Sequence, residues 1–158
     1  FTGMGRRFQK VAEFDGITVY DDYAHHPTEI KATLSSAVGF KNRKIVAVFQ
    51  PHRFTRLKNL WDDFLGAFEG VDRVVVTDVY AASEDPIEGV NSGKFAQDLR
   101  CKINVPVDYI AGDIKTVATE LFPSLDSGDV IIGLGAGTIT ALGKELAAVN
   151  EEMVNVAS

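Results

Sequence analysis

Cysteine is nearly missing from this 158-residue chain, long apolar runs are absent, and basic residues are outnumbered. The one thiol, Cys101, excludes an intramolecular disulfide framework and fits a reducing compartment. No run of roughly 18 apolar residues occurs, so no helix can span a bilayer. With 16 Lys and Arg against 22 Asp and Glu, the net charge of −6 argues against nucleic acid or an anionic membrane as a partner of the whole surface. Any anion site must be local. No charged-then-apolar leader opens the chain. Phe1-Thr2-Gly3-Met4-Gly5-Arg6-Arg7 reads like an interior linker, so a piece of a longer protein is expected. Histidine is scarce too: there are 3, all confined to two short segments.

What is present is an ordinary globular composition, 46% hydrophobic and 24% charged, in a length suited to one domain. Residues 8–14 and 17–23 read as a β-hairpin turning at Asp15-Gly16. Helices are expected at 28–39 (with Ile30, Leu34, Ala37 and Val38 on one face), 55–69, 92–101, 113–122 and 138–149. Strands are expected at 44–50, 73–79, 106–110 and 129–134, and the tail Asn150 to Ser158 is expected to fray. Strand and helix alternate, which predicts right-handed crossovers. The fold class is therefore α/β, three-layered, with a mostly parallel sheet of about six strands and one antiparallel strand from the hairpin.

The two histidine segments follow strand-like runs and lead into helices. Chemical groups thus gather at strand carboxyl ends, where open α/β sheets bind ligands. In Gln50-Pro51-His52-Arg53-Phe54-Thr55-Arg56, two arginines and a histidine sit at a helix start, where cations are disfavoured unless an anion is near. The anion is either a ligand carboxylate or phosphate, which arginine meets bidentately, or an acidic side chain of a neighbouring loop. Solvated arginines on an exposed helix start are the plain alternative. Asp21-Asp22-Tyr23-Ala24-His25-His26-Pro27 offers carboxylates and imidazoles for acid–base work, metal binding or a ribose. The spacing matches no zinc signature. Its plain reading has His26 capping the helix and Asp21 solvated.

Several features are set aside. Gly133-Leu134-Gly135-Ala136-Gly137-Thr138 resembles a dinucleotide fingerprint but carries Thr138 at the third glycine position. Gly89-Val90-Asn91-Ser92-Gly93-Lys94 is one residue short of a phosphate loop, and Asn91 or Ser92 suits a helix cap instead. Trp61 falls on an apolar stripe and is expected in the core, and Cys101 is expected to be a buried, inert thiol. The acidic loop 80–92 is either a lid, a source of countercharge for Arg53 and Arg56, or simply solvated.

Gly5-Arg6-Arg7-Phe8, Asp21 to Glu29, and Phe49 to Arg56 together resemble the C-terminal domain of the Mur ligases, with further likeness at Asp78 to Ala82 and Gly133 to Thr138. The histidine–arginine segment points to the alanine-adding branch; the murein tripeptide recycling branch shares the Asp-Asp and His-His-Pro part. The resemblance implies a dinucleotide-fold-like domain of a bacterial, cytoplasmic three-domain enzyme of peptidoglycan precursor synthesis. It implies that ATP activates UDP-N-acetylmuramate as an acyl phosphate, which L-alanine then attacks. It also implies partners in the amino-terminal and central domains, the central one holding the ATP phosphate loop and magnesium, with no metal ligands here. By the same resemblance Arg7, Asp22 and Tyr23 belong to the ATP side, with Arg7, Asp22 and His25 as catalytic candidates. His25, His52, Arg53 and Arg56 belong to the amino-acid side. The fragment alone is expected to be inactive. Relatives often carry Asp or Asn in place of Thr138, which leaves its side chain without an expected role. A free-standing nucleotide- or anion-binding module is the reading from another class.

Overall fold

The computed structural model describes residues 7–40 and 42–157, apart from the Val38 side chain. The linker-like reading of residues 1–6 lies outside them, as does Ser158. Strands β1 (Gln9–Phe14) and β2 (Ile17–Asp22) form the expected antiparallel hairpin. Asp15 and Gly16 both take positive φ, 48° and 79°, as a two-residue hairpin turn of matching twist requires. The remaining strands are β3 (Ile45–Phe49), β4 (Arg73–Thr77), β5 (Val107–Ile110) and β6 (Val130–Leu134). The sheet order is β1-β2-β6-β3-β4-β5, with every pairing after the first parallel.

Helices α1 (Pro27–Ser36), α2 (Phe54–Asn59), α3 (Trp61–Leu65) and α4 (Ser92–Lys102) cover one face. Helices α5 (Ile114–Leu121) and α6 (Leu142–Ala157) cover the other. The strands feed both layers by alternation: Ala47, Phe49, Val74 and Val76 face α1–α4, while Val46, Val48 and Val75 face α5 and α6. All of these are completely buried, which is why β3 and β4 read as unbroken apolar runs.

The structure corrects four expectations. The single helix over 55–69 is broken: Leu60 leaves helical geometry at φ −116°, ψ 21°, yet its N–H still bonds Arg56 O and its O accepts from Phe64 N. Phe64, past the bend, is buried in the core. Trp61 stands at the core's edge, edge-on to Phe95, because its Nε1 donates to Asp98 at 2.9 Å. Cys101 is exposed, since α4 buries Ser92, Phe95, Ala96 and Leu99 and leaves position 101 off that stripe. The tail does not fray at Asn150, because α6 continues to Ala157.

Candidate functional site

The carboxyl ends of β2, β6, β3 and β4 lie side by side, so four loops share one edge of the sheet. The Asp21–Pro27 loop, the glycine turn after Leu134, the Gln50–Arg53 segment and the loop after Thr77 meet there. Side chains stitch them together. Asp21, expected in solvent, is 4% exposed and accepts from Thr140 Oγ1 at 3.0 Å. Gln50, buried at the end of β3, donates through Nε2 to Thr138 Oγ1 (2.8 Å) and accepts from Ile139 N (3.1 Å). Thr138 thus has a side-chain role after all. A Cβ on Gly137 would come within 2.6 Å of Tyr80 Cγ and 2.8 Å of Gln50 Oε1. The glycine turn therefore serves close packing of loops, and residues 138–141 form a short 3-10 turn before α6.

Asp22 is 1% exposed, and its two carboxylate oxygens accept from Phe8 N and Ala24 N, each at 2.8 Å. It pins the entry to β1 against the exit of β2. Arg7, Phe8, Asp22, Ala32, Thr33 and Ser36 line a cavity of about 200 Å³. Thr33 Oγ1, buried beside it, has no hydrogen-bond partner among the described residues. That orphaned hydroxyl was not foreseen: in sequence Thr33 looks like a neutral residue flanking an apolar helix face. Tyr23 is absent from the cavity lining; its ring stands edge-on to His25 at 5.0 Å.

The histidines converge. The His25 and His52 ring centroids are 5.7 Å apart, and those of His25 and His26 are 5.0 Å apart. His25 Nδ1 lies 2.9 Å from Tyr23 O, and Glu29 Oε1 accepts from both His25 N and His26 N at 3.1 Å. His26 holds the position before α1, as the plain reading had it. Burial opposes ionisation of Glu29, but those two backbone donors hold its carboxyl below the usual range. Burial lowers the pKa of His26 and of His52, and Arg56 and His25 lower both further. Fixed positive charge in the cluster therefore comes from the arginines. His52 Nδ1 is buried without a partner among the described residues.

Arg53 stands before α2 with φ 73°, a conformation a non-glycine residue adopts only when its surroundings impose it. The 80–92 loop does supply an acidic group: Glu84 accepts from Thr55 N (3.1 Å) and Thr55 Oγ1 (2.5 Å). These bonds, the hydroxyl's first, hold the Glu84 carboxyl below its usual range, with the charge of Arg53 adding to them. Neither Arg53 nor Arg56 forms an ion pair among the described residues; Arg56 reaches only His52 O, at 3.4 Å. A larger cavity of about 380 Å³ opens beside the cluster, lined by His26, Lys31, Leu60, Asp62 and Asp63 among others. Asn91 Oδ1 caps α4 through Lys94 N, and Ser92 Oγ bonds Thr77 O, so the glycine-rich segment there is a helix start. Among the described residues no group of three His, Cys, Asp or Glu is placed to hold a metal ion.

The structure therefore yields two concavities on one sheet edge. One holds Arg7 and Asp22 with a hydroxyl unpartnered among the described residues; the other opens at His26, next to the cluster in which His25 and His52 meet with Arg53 and Arg56 near His52. The family model described as "Mur ligase, glutamate ligase domain" matches residues 6–137. UDP-N-acetylmuramate–L-alanine ligase of Geotalea daltonii is 45% identical over 146 residues, covering 92% of this chain and 32% of that protein. The chain spans about a third of the length of such relatives. The solved UDP-N-acetylmuramate-alanine ligase of Thermotoga maritima superposes with a TM-score of 0.68 at 29% identity, over 94% of this chain and 30% of that one. A murein peptide ligase of Psychrobacter arcticus shares the fold with a TM-score of 0.73 at 18% identity, covering 91% and 29%. The chain belongs to the Mur ligase family, as its glutamate ligase domain.

Proposed function

We propose that this chain is the C-terminal domain of a three-domain, ATP-dependent ligase that joins L-alanine to UDP-N-acetylmuramate, in the bacterial cytoplasm. In this reading the muramate carboxylate takes the γ-phosphoryl group of ATP, and the alanine amine displaces phosphate to form the amide. Magnesium and the phosphate loop belong to the central domain. This domain supplies positioning and charge, the terms on which such transfers depend.

The apposition of His25 and His52, with Arg53 and Arg56 beside them and in no ion pair among the described residues, carries this reading. Two guanidinium groups lacking an acidic side-chain partner suit the α-carboxylate of an amino acid. Burial and neighbouring charge keep His26 and His52 toward the neutral form, so the imidazole can accept a proton from an incoming ammonium. On the other side, Asp22 keeps lone pairs beyond its two backbone bonds, and Arg7 and Thr33 add donors. A cavity of about 200 Å³ is below the roughly 300–1,000 Å³ of a complete small-molecule site. It suits a ribose, with Tyr23 assigned to the same nucleotide, and the rest of ATP held by the central domain.

The murein-recycling alternative is the weaker one, because the likeness at 45% identity is to alanine-adding enzymes. Titration of the full-length enzyme with L-alanine tests the proposal. Arg53→Ala and Arg56→Ala are expected to weaken alanine binding at least about tenfold, one lost charge-assisted contact each, while UDP-sugar affinity holds. Equal losses for both ligands would remove the arginines from the alanine site. The isolated chain is expected to show no turnover, and measurable ligation by it would refute the division of labour.

A further inference from the structure

The loop after β4 is tied to the His52–Arg53 segment more closely than a lid or a solvated loop requires. Tyr80 N donates to Pro51 O and Arg53 N donates to Tyr80 O, both at 2.8 Å, so residues 51–53 and Tyr80 pair like a short parallel bridge. The Tyr80 ring stacks on the His52 imidazole with centroids 5.3 Å apart and planes 27° apart. The ring also lies so close to Gly137 that no side chain fits between them. Two residues further on the chain doubles back through Ala82 and Ser83, at φ 51° and 73°, and delivers Glu84 to Thr55. Arg53 is thus held at positive φ from two directions, by the Tyr80 carbonyl before α2 and by Glu84 on its first turn.

We propose that Tyr80 is a positioning residue of the amino-acid subsite: its ring backs His52 and its main chain clamps Arg53, fixing where the Arg53 guanidinium meets the substrate carboxylate. This rests on the assignment of Arg53 and His52 to that subsite. The ring acts through His52 and does not itself contact the amino acid. Without the stacked ring the main-chain bonds alone hold the His52–Arg53 segment, and the strained Arg53 is free to shift and carry its side chain away.

Steady-state kinetics of the full-length enzyme separate the possibilities. Tyr80→Ala is expected to raise KM for L-alanine by roughly ten- to a hundredfold, the scale of an ångström-size misplacement, with KM for ATP and for UDP-N-acetylmuramate unchanged. Tyr80→Leu, which keeps apolar bulk against Gly137 but loses the stacked ring, gives the same split should the alanine variant fold poorly. Tyr80→Phe keeps the ring and restores the native constants. Unchanged KM for alanine in Tyr80→Ala and Tyr80→Leu overturns the proposal, and so does an equal rise in KM for all three substrates. A rise in Tyr80→Phe matching that in Tyr80→Ala also overturns it, since the hydroxyl would then be touching substrate. Arg53→Ala, run alongside, isolates the underlying assignment: if it leaves KM for alanine untouched, the subsite reading fails first and takes this one with it.

Discussion

The rings of His25 and His52 lie 5.7 Å apart between centroids, although β2 carries one, β3 the other, and β6 runs between those strands. Two loops must lean across the end of β6 to meet. They do so because Gly135 and Gly137 let Gln50 and Tyr80 approach the turn that would otherwise separate them.

That meeting makes stability depend on pH near neutrality. Burial, then Arg56, depress the pKa of both His26 and His52 in the fold. The unfolded chain therefore binds more protons than the folded one once pH falls below about 6.5. Stability is full above that value and is lost progressively until the lower folded pKa values are passed. Glu29 and Glu84, both held below the usual carboxyl range, add a second loss as pH falls from about 4.3. Urea midpoints of the isolated domain between about pH 7.5 and 2.5 are expected to fall in two steps. Replacing His26 and His52 with Gln removes the upper step alone; persistence of that step would contradict the assignment.

Arg56 is the largest charge effect on both depressed histidines, ahead of His25. In Arg56→Ala burial and the smaller effects of His25 and Arg53 stay, and the largest repulsion goes. Both pKa values should rise toward the ordinary imidazole range, by more than in Lys58→Ala, whose charge is not among their perturbers. Proton–carbon NMR titration of the histidine rings reads this directly. Unmoved curves for both rings would place the Arg56 guanidinium away from the cluster.

The parts of this site that were legible in sequence are those fixed locally. Asp15-Gly16 announced its turn because only positive φ closes it, and both histidine segments announced themselves as polar residues ending apolar runs. The acidic loop expected near the start of α2 does deliver Glu84 there, but to Thr55, with no ion pair to Arg53 or Arg56 among the described residues. Links made by folding were not legible: Gln50 to Thr138, Glu84 to Thr55 and Tyr80 to His52 join residues whose neighbours in sequence carry no sign of their partners. Helix propensity likewise gave no warning that Leu60 would leave helical geometry, because packing of Phe64 decides it.

Asp22 anchors two backbone N–H groups, so its loss should be felt as structure before chemistry. Asp22→Ala leaves both donors without their acceptor, at a cost of about 1–3 kcal/mol for each group that stays buried. A melting temperature lower by several degrees is expected, since 1 kcal/mol corresponds to about 2–4 °C at this size. Hydrogen exchange at Phe8 and Ala24 should accelerate together. Native exchange at both would show that the segment around Arg7 is held by something else.

Thr33 offers the reverse case. Its Oγ1 is buried with no partner among the described residues, and a hydroxyl in that state forfeits about 1–3 kcal/mol relative to one that is paired. Valine keeps the branched shape and a similar helix propensity while removing the polar atom. Thr33→Val should therefore stabilise the isolated domain by about 1 kcal/mol, moving the urea midpoint up at constant slope. The native hydroxyl makes sense if it is satisfied only when the Arg7–Asp22 cavity is filled. The full-length Thr33→Val enzyme should then be the more stable protein and the weaker binder of ATP, with alanine affinity unaltered. A gain in stability with unchanged ATP affinity would leave Thr33 a packing residue and remove it from the nucleotide side of the cleft.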